Sequence, residues 1–406
     1  MANNNDKKVL NVPALRFPEF SGEWEKYVLT EFVERVTRRN KGNECKLPLT
    51  ISAQYGLVDQ ITFFNKIIAS DDMSNYYLLT NGDFAYNKSY SSEYPWGAIK
   101  RLDRYEYGAL SSLYICFRPL NHVSSDFLTH YFETKKWHQG ISEIAVEGAR
   151  NHGLLNIGIQ DFFATKHYLP QSILEQEKIA CFLNLIEERI RLQNKIIEDL
   201  KKLKSAIVEM LLCNQSGEFF KLGDVGCYVR GLTYANEDVT ENKAATIVIR
   251  ANNLNYGSHV DKREVVYVNK TPTVSQILRK GDIVICMANG SSALVGKNSY
   301  YPFNDRQSTI GAFCGIYRTS NPLVKWLMQS QRYKRQVYQS LQGGNGAIAN
   351  LNGDDILNMS FPLIEKEKSQ SIIFTIEAIE KSLVANKCLH RLYYTQKSYL
   401  LKQMFI

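Results

Sequence analysis

The sequence has no CxxC pair, no uninterrupted apolar run long enough to span a bilayer, and only a modest excess of charge. Its eight cysteines (Cys45, Cys116, Cys181, Cys213, Cys227, Cys286, Cys314 and Cys388) are scattered, several of them inside apolar runs. That usage predicts small buried thiols in a reducing cytoplasm, with neither a disulfide framework nor a zinc site. A membrane helix needs roughly 18 or more consecutive apolar residues, so none is expected. The opening MANNNDKK is polar and leads into no apolar stretch, which argues against a signal peptide. A net charge of +8 permits a polyanionic partner without requiring one. The charge is uneven: residues 172–212 balance to zero, and residues 366–406 carry +4.

Catalytic signatures are also missing. An adenine methyltransferase would grip its flipped base with an Asn/Asp-Pro-Pro-aromatic segment, and the nearest string, Asn321-Pro322-Leu323-Val324, lacks the second proline and the ring. The glycine-rich GGNGAIAN (343–350) follows no strand and has neither dinucleotide nor Walker spacing, so it reads as a loop. Asp126, Glu133 and Lys135 allow a cryptic metal nuclease to be written, but they fall on one expected helix. The seven histidines are isolated; His122 and His130 lie eight apart without a further ligand at metal spacing. No catalytic residue and no metal site is expected.

What the chain does contain is a duplication. Residues 172–212 carry a heptad seam at alternating steps of four and three: Ile179, Leu183, Ile186, Ile190, Gln193, Ile197, Leu200, Lys204, Ile207 and Leu211. The C-terminal segment repeats it with Ile372, Ile376, Ile379, Leu383, Asn386, His390, Tyr393, Lys397, Leu400 and Met404, each 193 residues after its counterpart. The polar interruptions coincide as well, Gln193 with Asn386 and Lys204 with Lys397. Both helices follow a proline that closes a strand-like run, HYLP (167–170) and SFP (360–362). Further landmarks recur at offsets of 193 to about 200: Leu29 and Leu222, Gly82-Asp83 and Gly281-Asp282, Phe117-Arg118 and Tyr317-Arg318.

Inside the globular parts, TIVIR (246–250), EVVYV (264–268), DIVICM (282–287) and GAFCGIYR (311–318) read as strands. LVKWLMQSQRYKRQVY (323–338) and DFLTHYFETKKWHQ (126–139) each read as one amphipathic helix. The expected fold is therefore mixed α/β: two pseudo-repeated globular domains joined by two long helices that form an antiparallel intramolecular coiled coil. The expected bounds are a tail at 1–20, globular domains at 21–171 and 213–361, and helices at 172–212 and 362–406. A polar layer of Gln193 and Asn386 would fix the helix register, and His390 would make an interhelical polar contact. From Ile179 to Leu211 the seam spans about 48 Å, comparable to two turns of duplex or less.

LRFPEFSGEWEKYVL (15–29), LPQSILEQEKIACFLNLIEERI (169–190), IEDLKKLKSAIVEMLL (197–212) and GDIVICMANGSSALVGK (281–297) resemble the specificity subunit of type I restriction–modification enzymes. The resemblance runs along essentially the whole chain. It implies that each globular domain is a target recognition domain reading half of a split, asymmetric DNA sequence. It also implies that the helices set the gap and dock two methyltransferase subunits, to which restriction subunits are added. Methylation, translocation and cleavage, with their S-adenosylmethionine, Mg2+ and ATP, would then belong to the partners. The second lead-in, PLIEKEKSQSII (362–373), lacks the Glu175-Gln176 pair of the first, which weakens any partner contact there.

Base edges are read by Arg, Lys, Asn, Gln and Ser side chains, and phosphates are held mainly by Lys and Arg. Candidates in the first half are Asn87, Lys88, Ser89, Tyr90, Trp96, Lys100, Arg101 and Arg104. In the second half they are Arg250, Asn252, Asn253, Asn289, Ser291, Ser292, Lys297, Arg306 and Gln307. Lys88 and Lys297, each following a Gly-Asp strand, are the foremost phosphate candidates. Two rival readings remain at this stage: a coiled-coil interaction protein without a DNA role, and the nuclease of Asp126, Glu133 and Lys135.

Overall fold

The computed structural model describes residues 10–91, 94–144, 155–214, 217–341 and 349–406. The chain divides into two compact units, Met1–Gln193 with Leu389–Ile406, and Asn194–Cys388. Two long helices, Ile173–Val208 and Lys366–Gln403, begin 193 residues apart, as the heptad offset requires. The division cuts each near its middle, so each unit owns one half of each helix.

In the first unit, one antiparallel sheet has the order Val33–Arg35, Ile115–Pro119, Phe84–Asn87, Ala98–Arg101. A second runs Gly56–Asp59, Pro48–Ser52, Tyr107–Leu110, Tyr77–Thr80, and its Pro48–Ser52/Tyr107–Leu110 pair is parallel. The second unit repeats the first sheet in the same order with Gly226–Arg230, Cys314–Thr319, Ile283–Cys286 and Asn298–Tyr300. Its other sheet again contains one parallel pair, Thr246–Ile249 with Ser308–Ile310. Each unit also has a short antiparallel ribbon at the foot of a long helix, Glu25–Val28 with Lys166–Leu169 and Phe219–Lys221 with Ser360–Pro362. In both, a leucine N–H closes the ribbon: Leu29 to Thr165 O and Leu222 to Met359 O, each at 2.9 Å.

The near-continuous apolar strands follow from burial on both faces. Phe84, Tyr86, Ile115 and Phe117 point into the core shared with the long helices, whereas Ala85 and Cys116 point into a second core with Leu49, Ile51 and Leu110. Ile283, Ile285 and Tyr317 face one core and Val284, Cys286 and Ile316 another in the second unit. Alternate side chains of a strand leave opposite faces, so a strand between two cores needs apolar residues at every position. Gly82 and Gly281 take φ of 90° and 103°, a left-handed turn that favours glycine, and each delivers the aspartate that follows it. Asp83 and Asp282 are buried and form two-bond ion pairs with Arg118 (2.9 and 3.1 Å) and Arg318 (2.7 Å twice).

Seam residues Ile179, Leu183, Ile186, Ile190, Gln193, Ile372, Ile376 and Leu383 are buried; Ile379 and Asn386 are half-buried. Within the first unit Lys397 meets Glu187, and Phe405 packs on Trp24, which bonds Glu175. Later residues of one helix thus meet earlier residues of the other, an antiparallel pairing. Lys204 with Glu380, and the shared core of Val208, Leu212, Ile372 and Ile376, show the same sense in the second unit.

Three expected elements are corrected. Each amphipathic segment is broken into two helices, Ser125–Tyr131 and His138–Ile144 in one unit, Val324–Leu327 and Gln331–Leu341 in the other. Thr134 donates its hydroxyl to Tyr131 O at 2.7 Å, and Ser330 donates to Leu327 O at 2.6 Å. A side-chain hydroxyl that takes the carbonyl of the last turn competes with continuation of the helix. The strand expected over 311–318 begins only at Cys314, because Gly311–Cys314 is a hydrogen-bonded turn (Cys314 N to Gly311 O, 2.9 Å).

Candidate nucleic-acid interface

The strand register gathers some of the candidate residues at one end of each unit and sends others elsewhere. In the second unit the parallel pair places Gly311 beside Arg250, with Gly311 N–H donating to Ile249 O at 3.0 Å. On its other side the same turn is tied to the loop after Ile283–Cys286: Phe313 O accepts from Met287 N at 2.8 Å and Ala288 N at 3.3 Å. Leu232 N–H reaches Ile310 O at 2.8 Å, bringing Arg230 to this end. Arg230, Arg250, Asn252, Asn289, Ser291 and Lys297 therefore rim one end of the sheets. Arg230 and Arg250 are exposed, with no ion-pair partner among the described residues. Arg306 and Gln307 precede the strand Ser308–Ile310 and lie at its opposite end, where Gln307 Nε2 donates to Ala244 O.

The first unit repeats this arrangement. Tyr86 pairs with Ile115, so the loop beginning Asn87-Lys88-Ser89-Tyr90 starts beside the turn Ser111–Tyr114. The hairpin Ser52–Gly56, with Tyr55 exposed, rises at the same end. Asn87 Oδ1 accepts from Ser89 N (2.9 Å) and Asn289 Oδ1 from Ser291 N (3.0 Å), so an Asx turn shapes both loops.

The contacts bear on five of the expectations. Arg101 pairs with Phe84 in the register, at the far end of the hairpin from Asn87, and its guanidinium bonds Asp103 (2.6 Å), Asp126 (2.7 Å) and Ser125 (2.9 Å). Lys100 is ion-paired with Glu133. These two cations brace the helix Ser125–Tyr131 and its following turn against the sheet, and Asp126 and Glu133 are their counter-ions. The carboxylates of the nuclease reading, Asp126 and Glu133, are thus each paired with a cation, and no cluster of three metal-capable side chains occurs among the described residues. Asn253 is buried, its Nδ2 donating to Asp261 O and Glu264 O, and it holds a loop. Lys88 and Lys297 are not equivalent: Leu155 N bonds Lys88 O as Leu351 N bonds Met287 O, so Lys88 matches Met287 and stands at the opposite base of its loop from Lys297. Residues 343–348 of the glycine-rich segment lie outside the described residues.

The Glu-Gln lead-in has a structural explanation that spacing did not supply. Glu175 is buried and accepts two bonds from Arg16 (2.7 Å each) and one from Trp24 Nε1 (3.3 Å). Gln176 Oε1 accepts from Ser124 N at 2.8 Å and its Nε2 donates to Pro170 O at 2.9 Å. Both side chains clamp the start of the long helix to its own unit. Their positional counterparts, Lys368 and Ser369, are exposed and half-buried, and Lys368 pairs with nearby Glu365.

Burial depresses three histidines. His167 is held between Tyr131 Oη (2.9 Å) and Thr165 Oγ1 (2.8 Å), and burial brings it to about 4. Burial also lowers His138 to about 4 and outweighs the pull of Glu187 on His130. His130 and His167 are buried inside the first unit and His138 is half-buried there.

No family model matches the chain. It is 30% identical over 150 residues to the specificity subunit of type I restriction enzyme EcoKI from Escherichia coli K12, covering 34% of this chain and 31% of that protein. It is also 30% identical over 149 residues to the StySPI specificity subunit from Salmonella potsdam, with the same coverage of 34% and 31%. The chain thus spans about a third of the length of these curated relatives. A solved chain described in a study of complex assembly and conformational transition of the type I restriction–modification system superposes with a TM-score of 0.56 at 14% identity, covering 95% of this chain and 98% of that one. The specificity subunit of a type I system from M. genitalium gives a TM-score of 0.54 at 13% identity, covering 97% and 99%. No helix among the described residues is long and apolar enough to cross a membrane. By sequence over the matched segment, and by fold over nearly its whole length, the chain is similar to the specificity subunits of type I restriction–modification enzymes.

Proposed function

We propose that the chain is the non-catalytic, sequence-specific DNA-binding subunit of a type I restriction–modification system, acting in the cytoplasm. The observation that carries this reading is the likeness of its fold, over nearly its whole length, to solved type I chains, with the same sheet order occurring twice within one polypeptide. Residues 21–171 and 213–361 are then two recognition domains, each reading half of a bipartite asymmetric target. Residues 172–212 and 362–406 are the helices that set the unread gap and dock two methyltransferase subunits, and residues 1–20 form an N-terminal tail. Restriction subunits complete the assembly. S-adenosylmethionine, Mg2+ and ATP are used by those partners, none being bound by this chain.

The loop ends support the reading chemically. Exposed guanidinium groups suit phosphates, and Asn and Ser amides and hydroxyls suit base edges. The test is co-expression with a cognate methyltransferase subunit in a host lacking adenine methylation, followed by methylome sequencing. Methylated adenines confined to one split motif, absent when this chain is omitted, are expected. Methylation without a split motif, or none at all, would overturn the reading.

A further inference from the structure

In each unit the turn at the centre of the loop end raises one apolar side chain into solvent. Ser111–Tyr114 and Gly311–Cys314 are four-residue turns closed by N–H to O bonds of 3.2 and 2.9 Å. The third residue is Leu113 in one and Phe313 in the other, and each is 69% exposed. Both turns lead from the parallel strand pair into the central strand of the other sheet, Ile115–Pro119 or Cys314–Thr319. Corner positions of such turns favour Gly, Asn, Asp and Ser, which accept the tight backbone and stay hydrated. A large apolar side chain there forgoes the burial that a core site would supply. One exposed apolar residue is ordinary surface. The same departure at the same corner of two units with different loop sequences is not explained by packing, since neither side chain belongs to a core.

The neighbouring residues narrow the chemistry of a partner for these tips. Phe313 belongs to the turn whose Gly311 lies beside Arg250, and its backbone oxygen accepts from Met287 and Ala288, next to Asn289. Leu113 stands beside the Asn87–Tyr90 loop. Cations for phosphates, amides for base edges and one rigid apolar point between them make a set complementary to a DNA groove, where apolar side chains touch thymine methyls or wedge against a base step. We propose that Leu113 and Phe313 are specificity-determining residues, each making the apolar contact to the bases of its own half-site. This rests on the function proposed above and names the contact on which half-site choice turns.

The experiment uses the full chain co-expressed with its methyltransferase, comparing Phe313→Ala, Leu113→Ala and the conservative Phe313→Leu by methylome sequencing. Phe313→Ala is expected to lower methylation of the cognate motif about tenfold, or to admit other bases, at one half-site alone; Leu113→Ala should do so at the other. Phe313→Leu should retain most of the wild-type pattern. Both tips are exposed, so the melting temperature should not move, and a fall in it would assign them a folding role and overturn the proposal. Unchanged motifs and yields in both alanine variants would overturn it too, leaving the assigned function intact. A wild-type chain that directs no split-motif methylation would instead sink the function and this contact together.

Discussion

Lys397 Nζ donates to Glu187 Oε1 at 2.6 Å, and the residues 193 positions away from each, Lys204 and Glu380, form the same ion pair at 2.7 Å with the helices exchanged. The lysines interrupt an apolar seam, yet their side chains are only 17% and 13% exposed. Burial disfavours the Lys397 ammonium, but Glu187 outweighs it and raises its pKa; burial likewise works against Glu380, which Lys204 holds below the ordinary carboxylate range. Polar groups at such positions specify register at some cost in stability. In each unit the pair favours one antiparallel alignment of the half-helices, because a slide of one heptad would replace Glu380 by Ile373 or Lys387 and Glu187 by Ala180 or Asn194 and leave each ammonium without its carboxylate.

A double-mutant cycle on Lys204 and Glu380 measures this coupling. Lys204→Met and Glu380→Gln are each expected to destabilise by about 1–2 kcal/mol, lower than a fully buried pair because Glu380 is partly hydrated. The double variant should recover part of the loss. Glu380→Gln should cost more than Glu187→Gln, since Trp326 Nε1 also donates to Glu380 at 2.9 Å. Additive losses in urea denaturation would contradict the coupling.

The two buried aspartates are expected to behave unequally. Asp83 and Asp282 are each 2% exposed, but the Arg118 side chain is 42% exposed whereas that of Arg318 is 18% exposed. Arg118 can recruit water when its partner is neutralised, and Arg318 has less access to it. Asp282→Asn should therefore destabilise its unit by about 2–4 kcal/mol and Asp83→Asn by less. Equal shifts of the two unfolding transitions would show that solvent access does not decide the cost.

The parts legible in the sequence were those with a local period. Heptad spacing marks Ile179 to Leu211 because side chains four and three apart share a helix face, and the 193-residue offset marks its copy. The break at Thr134 and Ser330 was illegible, since it depends on one hydroxyl choosing a carbonyl over solvent. Strand pairing was equally hidden. Nothing near Arg306 shows that its strand runs parallel to Thr246–Ile249, which is what removes it from the end holding Arg250. Lys100 and Arg101 look like phosphate ligands until the helix carrying Asp126 and Glu133 is folded beside them. Phe313 was hidden inside an apolar run that reads as strand.

Acid should weaken the first unit before the second. His167 has a folded value near 4, below the ordinary value of 6.5, so the fold holds the neutral ring and the unfolded chain takes the proton first. Its contribution is present above pH 6.5 and is lost as pH falls from there towards 4, by up to roughly 3 kcal/mol. His138 and His130 shift in the same direction. The second unit contains only His259. Thermal unfolding between pH 7.5 and 4.5 should show a transition of the first unit moving down more steeply, and His167→Gln should flatten its slope. An unchanged slope in that variant would remove His167 as the cause.

The cations separate by their partners into two groups with different measurable roles. Arg230 and Arg250 have no carboxylate partner among the described residues, so contact with a phosphate would displace counterions from the DNA without first breaking an internal bond. Lys100 and Arg101 would have to abandon Glu133, Asp103 and Asp126 to do the same. In the assembled methyltransferase, Arg250→Ala and Arg230→Ala should each weaken DNA binding and reduce the slope of log affinity against log salt by about 1. Arg101→Ala should leave that slope unchanged and instead lower stability by about 1–2 kcal/mol, because it frees the helix Ser125–Tyr131 from the sheet and leaves Asp126 without its partner. Titrations at several salt concentrations, paired with denaturation of the same variants, distinguish the two groups. A reduced salt slope for Arg101→Ala with unchanged stability would place it on the DNA after all and displace the loop end as the principal phosphate contact of the first unit.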